Sequence, residues 1–329
     1  MARKDPASIR DTASMSWRHI LFGGGVFDTS GEHPNRKGWD IFELGQKSFW
    51  AVPTAVAWDE PVREDPEYAE SIAAMLGFLC PGEKAAVTGA SLLSTKMKTE
   101  EGKFYFAEQA LEEAKHYDAL RRLIPKITGR PMEPPNPWVR LLYSFGVIDE
   151  SDPAFMMASI NVIGEHLANQ IFHKINKRAK DETVRKVLAL IGRDESRHIA
   201  AGQRFFVEVY PHLRKNRHEI AAKHLATTIV LLLAAYGLVN PMNKLEIDLA
   251  EVLDAMYQHY EDVLGDLPPF PEQGLRDALM QRLRKQTPRA IAQVKAVTSK
   301  DGRVDVGRLV SMCSRALRSP RALRDLIAA

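Results

Sequence analysis

Two short tetrads constrain this chain more than anything else in it: Glu113-Ala114-Lys115-His116 and Glu195-Ser196-Arg197-His198. Each reads Glu-x-x-His, and each follows another acid, Glu112 in the first and Asp194 in the second. Residues three apart share one face of a helix, so each Glu and His can reach the same point. One such tetrad carries little information, because both residue types are common on helix surfaces. The pair becomes informative through a lone acid upstream of each. Glu83 precedes Glu113 by 30 residues, and Glu165 precedes Glu195 by 30. Two antiparallel helices joined by a short loop bring residues so spaced to similar heights, which sets Glu83 and Glu165 across a bundle from the tetrads.

The rest of the chain supports helices at these places. A helix is expected over about 66–98, with Asp65-Pro66 at its start and an inward stripe of Ile72, Met75, Leu76, Leu79, Ala86, Val87, Ala90 and Leu93. Glu83 falls on that stripe, where an acid is expensive to bury unless it is paired or bound to metal. Pro81, just before it, is expected to kink the helix or break its bonding. The second helix, about 101–124, buries Phe106, Ala110, Glu113, Tyr117 and Leu120 and is expected to stop before Pro125. The third runs from Asp152-Pro153 to about Ala179. Glu165 is the sole acid between Pro153 and Lys180, which leaves it as the candidate on that helix. The fourth, about 182–210, carries Glu195 and His198 inward and is expected to close at Pro211. An apolar helix over about 218–239 and shorter amphipathic ones beyond complete the chain. Tyr105 and Tyr117 read as packing residues, and His166 and His173 as packed or exposed.

Composition bounds the class. The chain has 329 residues, 45% hydrophobic, enough for a sizeable core. Cys80 and Cys313 alone form no disulfide framework and no thiolate metal site, which suits a reducing compartment. No secretory signal is read in residues 1–17. The longest apolar run, 226–239, is short for a membrane span, so a cytoplasmic protein is expected. Three regions are expected: an arm with a short helix over 1–65, irregular to about 40; the bundle over 66–240; and a basic helical extension over 241–329 packed on it. From Pro271 to Ala329 there are 13 Lys and Arg against 5 Asp and Glu, while the preceding residues carry 32 against 37. A basic end on an acidic body suits an anionic partner. Without aromatic interleaving it does not suit nucleic acid.

Four carboxylates and two imidazoles match the ligand set of the ferritin-like di-iron and di-manganese bundles. Such donors suit iron or manganese, and no cysteine lies near them to suggest a zinc ribbon or an iron–sulfur cluster. Asp194 and Glu112 are placed to hold the outer ring N–H of the opposite histidine, as carboxylates behind metal-bound histidines do.

The sequence also resembles one branch of that superfamily. Residues 106–116 (Phe-Ala-Glu-Gln-Ala-Leu-Glu-Glu-Ala-Lys-His) and 191–198 (Ile-Gly-Arg-Asp-Glu-Ser-Arg-His) are similar to the second- and fourth-helix motifs of the ligand-binding oxidases that resemble the ribonucleotide reductase small subunit. Gly82-Glu83-Lys84-Ala85-Ala86-Val87-Thr88 resembles their first ligand site, and Gln46-Lys47-Ser48-Phe49-Trp50 the segment that keeps a tryptophan on the electron-entry route. The resemblance covers about residues 40–210.

It implies an all-α, ferritin-like four-helix bundle with extra N- and C-terminal helices and two metal ions per chain, Fe/Fe foremost or Mn/Fe. The ligands it implies are Glu83, Glu113, His116, Glu165, Glu195 and His198, with Asp194 and Glu112 behind them and Trp50 as an electron relay. It further implies an O₂-dependent oxidation of a small hydrophobic or fatty-acid-like substrate, an external electron donor and a homodimer. Two departures narrow this. Leu120 stands where the reductase small subunit keeps its radical tyrosine, and Ile160 where the ligand-binding oxidases keep a crosslinking tyrosine. The expectation is therefore oxygenation, not ribonucleotide reduction or self-modification. Rival readings are a desaturase or oxygenase whose basic end docks an acidic carrier protein, an N-oxygenase, and an iron-binding protein of ferritin type. Ala85, Ala86, Gly89, Ala168 and Gly202 are small residues near the expected ligands that either leave room for substrate or let helices approach.

Overall fold

In the computed structural model the described residues are 36–146, 148–215, 227, 231, 234 and 237–265. Among them there is no strand; the regular elements are all helical. Helix α1 spans Arg36–Ser48, α2 Val52–Ala55, α3 Pro66–Lys96 and α4 Glu100–Thr128. Helix α5, Pro137–Leu141, runs into a π-helical turn over Leu142–Gly146. The third long rod is composite: α6 Pro153–Met157, a π-helical segment Ala158–Gly164, then α7 Glu165–Arg178. Helix α8 spans Glu182–Lys215, α9 Val239–Lys244 and α10 Leu249–Gly265.

Four rods make the bundle, and each begins at a capping side chain. Asp65 accepts from the backbone N–H groups of Glu67 and Tyr68, with Pro66 in the first turn. Thr99 Oγ1 accepts from Gly102 N, Asp152 from Phe155 N and Asp181 from Val184 N. These contacts satisfy N–H groups that a helix start leaves unbonded. The connections 97–99 and 179–181 are too short for anything but antiparallel neighbours, so α3 pairs with α4 and α7 with α8.

Two apolar layers hold the rods together. One gathers Ile72, Leu76 and Leu79 of α3, Leu120 and Leu123 of α4, Ile171 and Phe172 of α7, and Val187 and Ile191 of α8. The other gathers Leu93, Phe106, Met157, Val162 and Phe205 from the opposite ends of the same rods. Each of those buried side chains contributes about 1.5–3 kcal/mol by leaving water. Between the layers every rod crosses a belt of buried acids and histidines.

The rods run through prolines that are expected from the sequence to kink one (Pro81) and to stop two others (Pro125 and Pro211). Pro81 stands inside α3, Pro125 inside α4, and α8 continues past Pro211 to Lys215. An interior proline forfeits one backbone bond and crowds the preceding turn at about 3 kcal/mol. Around Pro125 the buried Leu123, Ile124 and Ile127 continue the core face and offset that cost. The true stop of α4 is Gly129, with φ 69°, whose N–H bonds Pro125 O at 2.9 Å. The first helix also begins earlier than expected, at Arg36 instead of Asp40. The apolar helix expected over 218–239 lies mostly outside the described residues, and the basic stretch 271–329 wholly so. No helix among the described residues is long and apolar enough to cross a membrane.

Candidate metal centre

All six side chains singled out in the sequence meet in the belt. Glu113, His116, Glu195 and His198 are fully buried, and Glu83 and Glu165 are 5% exposed. His116 and His198 turn their Nδ1 atoms toward the centre. Glu195 spans the two, with Oε1 3.0 Å from His116 Nδ1 and Oε2 3.1 Å from His198 Nδ1. Glu113 spans them as well, Oε1 lying 3.0 Å from His198 Nδ1 and Oε2 3.4 Å from His116 Nδ1. Glu83 sits at the His116 end, 3.4 Å from its Nδ1, and Glu165 at the His198 end, at 3.9 Å.

The outer sides of the rings are tied down. His116 Nε2 meets Asp194 Oδ2 at 3.3 Å, and His198 Nε2 meets Glu112 Oε2 at 3.0 Å. A neutral ring that donates Nε2–H outward to these acids has an Nδ1 lone pair to offer a metal ion at the centre. Arg197 Nη2 donates to Glu112 Oε1 and, at 3.0 Å, to Asp194 Oδ1. Lys115 Nζ lies 3.4 Å from Asp194 Oδ2. Trp50 Nε1 donates to the same Asp194 oxygen at 2.6 Å, and its ring stacks over His116 with centroids 6.4 Å apart.

The electrostatics are those of a site short of positive charge. Six buried carboxylates (Glu83, Glu112, Glu113, Glu165, Asp194 and Glu195) face two permanent cations, Lys115 and Arg197. Burial pushes the Glu83 carboxyl well above its ordinary range, and the charges of Glu195 and Glu113 add to this. Burial followed by Glu113 and Glu195 does the same to Glu165. Burial alone would neutralise the two imidazoles, but Glu195 and Asp194 raise His116, and Glu113 and Glu112 raise His198, well above the usual value. Asp194 is held low against its burial by His116, Lys115 and the Trp50 N–H. The clustered carboxylate charge therefore favours the binding of protons or other cations at the centre.

Two divalent ions fit this deficit, since two permanent cations against six carboxylates leave four negative charges. The bonding geometry agrees. Glu113 Oε2, His116 Nδ1 and Glu195 Oε1 are buried without a hydrogen-bond partner although His116 Nδ1 lies 3.4 Å from the first oxygen and 3.0 Å from the second. Atoms that close but not aimed at each other converge instead on a common point. One ligand atom from each of Glu113, His116, Glu195 and His198 falls within 4.8 Å of all the others.

Other residues sort out plainly. Tyr105 is buried against Phe106 and Phe205, a packing role. His166 is half-buried and stacks on His259 with centroids 4.5 Å apart, and His173 is exposed. Gly89 and Gly202 serve helix approach, not substrate space: a Cβ at 89 would lie 2.0 Å from Ile160 Cδ1, and one at 202 would lie 2.8 Å from Asn161 Cβ. Sequence reasoning passes over Gln109, Asn161, Lys115 and Arg197. Gln109 and Asn161 lie one turn before Glu113 and Glu165, so helical periodicity puts them on the ligand face, but they carry no charge to draw notice.

No family model matches the sequence, and no curated protein matches it. Solved structures do. An R2-like ligand-binding oxidase, a point mutant with an aerobically reconstituted Mn/Fe cofactor, aligns over 73% of this chain and 96% of its own, with a TM-score of 0.55 at 14% identity. The fold is that of the R2-like ligand-binding oxidases. Their relative from Sulfolobus acidocaldarius aligns over 78% of this chain and 97% of its own at 19% identity, with a TM-score of 0.51. A protein from Synechococcus with aldehyde deformylating oxidase activity covers 66% of this chain and 98% of its own at 17% identity, with a TM-score of 0.52. The all-α, ferritin-like bundle expected from the tetrads is thus shared with the R2-like ligand-binding oxidases.

Proposed function

We propose that this chain is a dinuclear-metal oxidoreductase that uses O₂ to oxidise a small apolar, fatty-acid-like molecule. Two ions, Fe/Fe or Mn/Fe, would be held by Glu83, Glu113, His116, Glu165, Glu195 and His198. The observation that carries the reading is the convergence of buried, unbonded carboxylate and imidazole atoms on one centre whose charge is short by two divalent cations. Bound there, such ions supply redox equivalents and Lewis acidity for reducing O₂ and oxidising a C–H or N–H bond. The R2-like ligand-binding oxidases with Mn/Fe cofactors support the cofactor class, and the protein with aldehyde deformylating oxidase activity supports oxidase chemistry on this fold.

The chain's own residues do the rest. Glu113 and Glu195, each near both histidines, would hold the ions together with Glu83 on the His116 side and Glu165 on the His198 side. Asp194 and Glu112 fix the histidine tautomers. Water is kept out by the two apolar layers, which strengthens every charge interaction between them. Among the six expected ligands only Glu83 and Glu165 keep residual exposure, and the reading places the approach of substrate and O₂ on their side of the centre. Ala86 and Ala168, each one turn on from these acids, keep that side small and apolar. Electrons from an external donor enter on the opposite side, from Trp50 through Asp194 to His116. The carrier-dependent reading rests on the basic stretch 271–329 and gains no support from the described residues.

Anaerobic loading with Fe(II), followed by O₂ and mass spectrometry of co-purified apolar molecules, tests the proposal. It predicts two metal ions per chain, O₂ uptake that depends on them, and a product that has gained oxygen or lost hydrogen. A folded protein that takes up no metal would overturn it.

A further inference from the structure

The two halves of the centre are related by a single offset of 82 residues. It carries Glu83 to Glu165, Glu112 to Asp194, Glu113 to Glu195, Lys115 to Arg197 and His116 to His198. One turn upstream of the ligands the relation fails. Gln109 has Ile191 as its counterpart, and Asn161 has Leu79. All four are buried.

The polar pair forms a clamp at one end. Gln109 Nε2 donates to Glu113 Oε1 and to Glu165 Oε1, both at 2.9 Å. A primary amide has two N–H groups, and both are used here. Gln109 Oε1 accepts from Asn161 Nδ2 at 2.8 Å, which decides which end of the amide faces the carboxylates. Asn161 Nδ2 also lies 3.5 Å from the His198 carbonyl. Two backbone features seat Asn161. It lies in the π-helical segment Ala158–Gly164, and Gly202 lets α8 press against its backbone, since a Cβ there would lie 3.0 Å from Asn161 O. A π-helical turn shifts the residues that follow it relative to an α-helix, and such turns recur at functional sites. At the other end, Leu79 and Ile191 offer no N–H, and among the described residues Glu83 receives no amide hydrogen bond.

We propose that Gln109, oriented by Asn161, is a positioning residue that makes the two metal positions unequal. The position between Glu165 and His198 is held by pinned carboxylates; the one between Glu83 and His116 keeps a carboxylate free to shift. The inference rests on the dinuclear reading above and adds to it an order of filling. The clamped position fills first because less carboxylate freedom is lost there, and an unlike metal pair is sorted by the same difference.

The test is an anaerobic Mn(II) titration of the full chain, read by metal analysis and electron paramagnetic resonance, with anomalous scattering from crystals to locate the ions. The parent protein should bind two Mn(II) in distinguishable steps, the first at Glu165 and His198. Gln109→Leu should weaken that step about 10–100-fold, the range for loss of a partner behind a ligand, and move the other less than about threefold. Asn161→Asp reverses the amide, turning its oxygen toward the carboxylates, and should reproduce the loss. In the Gln109→Leu background it should add nothing further. If Gln109→Leu fails to fold, Asn161→Asp alone decides between the outcomes. Unchanged binding in the folded variants, or equal weakening of both steps, overturns the clamp while leaving the dinuclear reading standing. A parent protein that binds no metal overturns both.

Discussion

The rings of His116 and His198 face each other with centroids 5.7 Å apart and planes tilted by 39°. Each comes from a different half of the chain, each turns Nδ1 inward, and each is held from behind by the acid that precedes the opposite tetrad. That exchange of acids ties α4 to α8 through their most polar faces. It is tolerable in the core because every charge has a partner there or converges on a point where a cation can sit.

Filling the centre should stabilise the fold markedly. A ligand present at one hundred times its dissociation constant adds about 2.7 kcal/mol per site when it binds the folded state alone. Each kcal/mol moves the melting temperature of a chain this size by roughly 2–4 °C or somewhat less. Anaerobic scanning calorimetry with Fe(II) or Mn(II) should show a rise of several degrees, reversed by a chelator. Identical melting with and without chelator would contradict it.

Gly89 and Ile160 form a lock between α3 and the π-helical segment. With a Cβ at 89 set to meet Ile160 Cδ1 at 2.0 Å, Gly89→Ala should cost about 1–3 kcal/mol despite the better helix propensity of alanine. Ile160→Val removes that methyl and alone should cost about 0.5–1.5 kcal/mol. The double variant should be more stable than the two losses summed, by at least about 1 kcal/mol in denaturant melts. Simple additivity would show that the two positions do not touch.

Glu108 gives a pH dependence distinct from the centre. Its carboxyl is buried, has Oε2 without a partner and accepts from Gln46 at 2.6 Å. Burial, then the charge of Glu112, pushes it from 4.5 up to about 7. The folded state therefore keeps a proton that the unfolded chain has released. The stability this group contributes is complete below about pH 4.5 and is lost as pH rises through about 7. Glu108→Gln should remove that loss. It should exceed the parent in stability by on the order of 2 kcal/mol at pH 8 and match it near pH 4.5. A difference that does not change with pH would refute the assignment.

Trp50→Phe should separate electron entry from metal binding. The variant loses the N–H bond to Asp194, while Asp194 keeps Lys115, Arg197 and His116. Metal content per chain should stay within error of the parent, and reduction of the oxidised centre by an external donor should slow by at least about tenfold, some 1.4 kcal/mol of barrier. Equal reduction rates would remove Trp50 from the route.

The bundle and the six inward groups stand out in the sequence because acids and histidines on an otherwise apolar stripe are costly and therefore conspicuous. The repeated interval between lone acid and tetrad reports two helical hairpins of equal register. What escapes a sequence is neutral or subtractive. Gln109 and Asn161 have no charge to make them stand out from ordinary helix residues. The π-helical segment leaves no composition signal beyond Gly164, whose added Cβ would come 2.9 Å from Ser159 O. Pro125 reads as a stop because local propensity takes no account of the apolar face that carries α4 through. Gly129, the residue that does end α4, is one glycine among 20 and draws no notice on its own.

The most direct measurement is anomalous scattering at the iron and manganese edges from crystals of the metal-loaded protein. The account predicts two peaks roughly 3.5–4 Å apart, the spacing of paired-metal sites, each beside one histidine Nδ1 and both within reach of Glu113 and Glu195. A single peak, or ions bound anywhere but between His116 and His198, would contradict it.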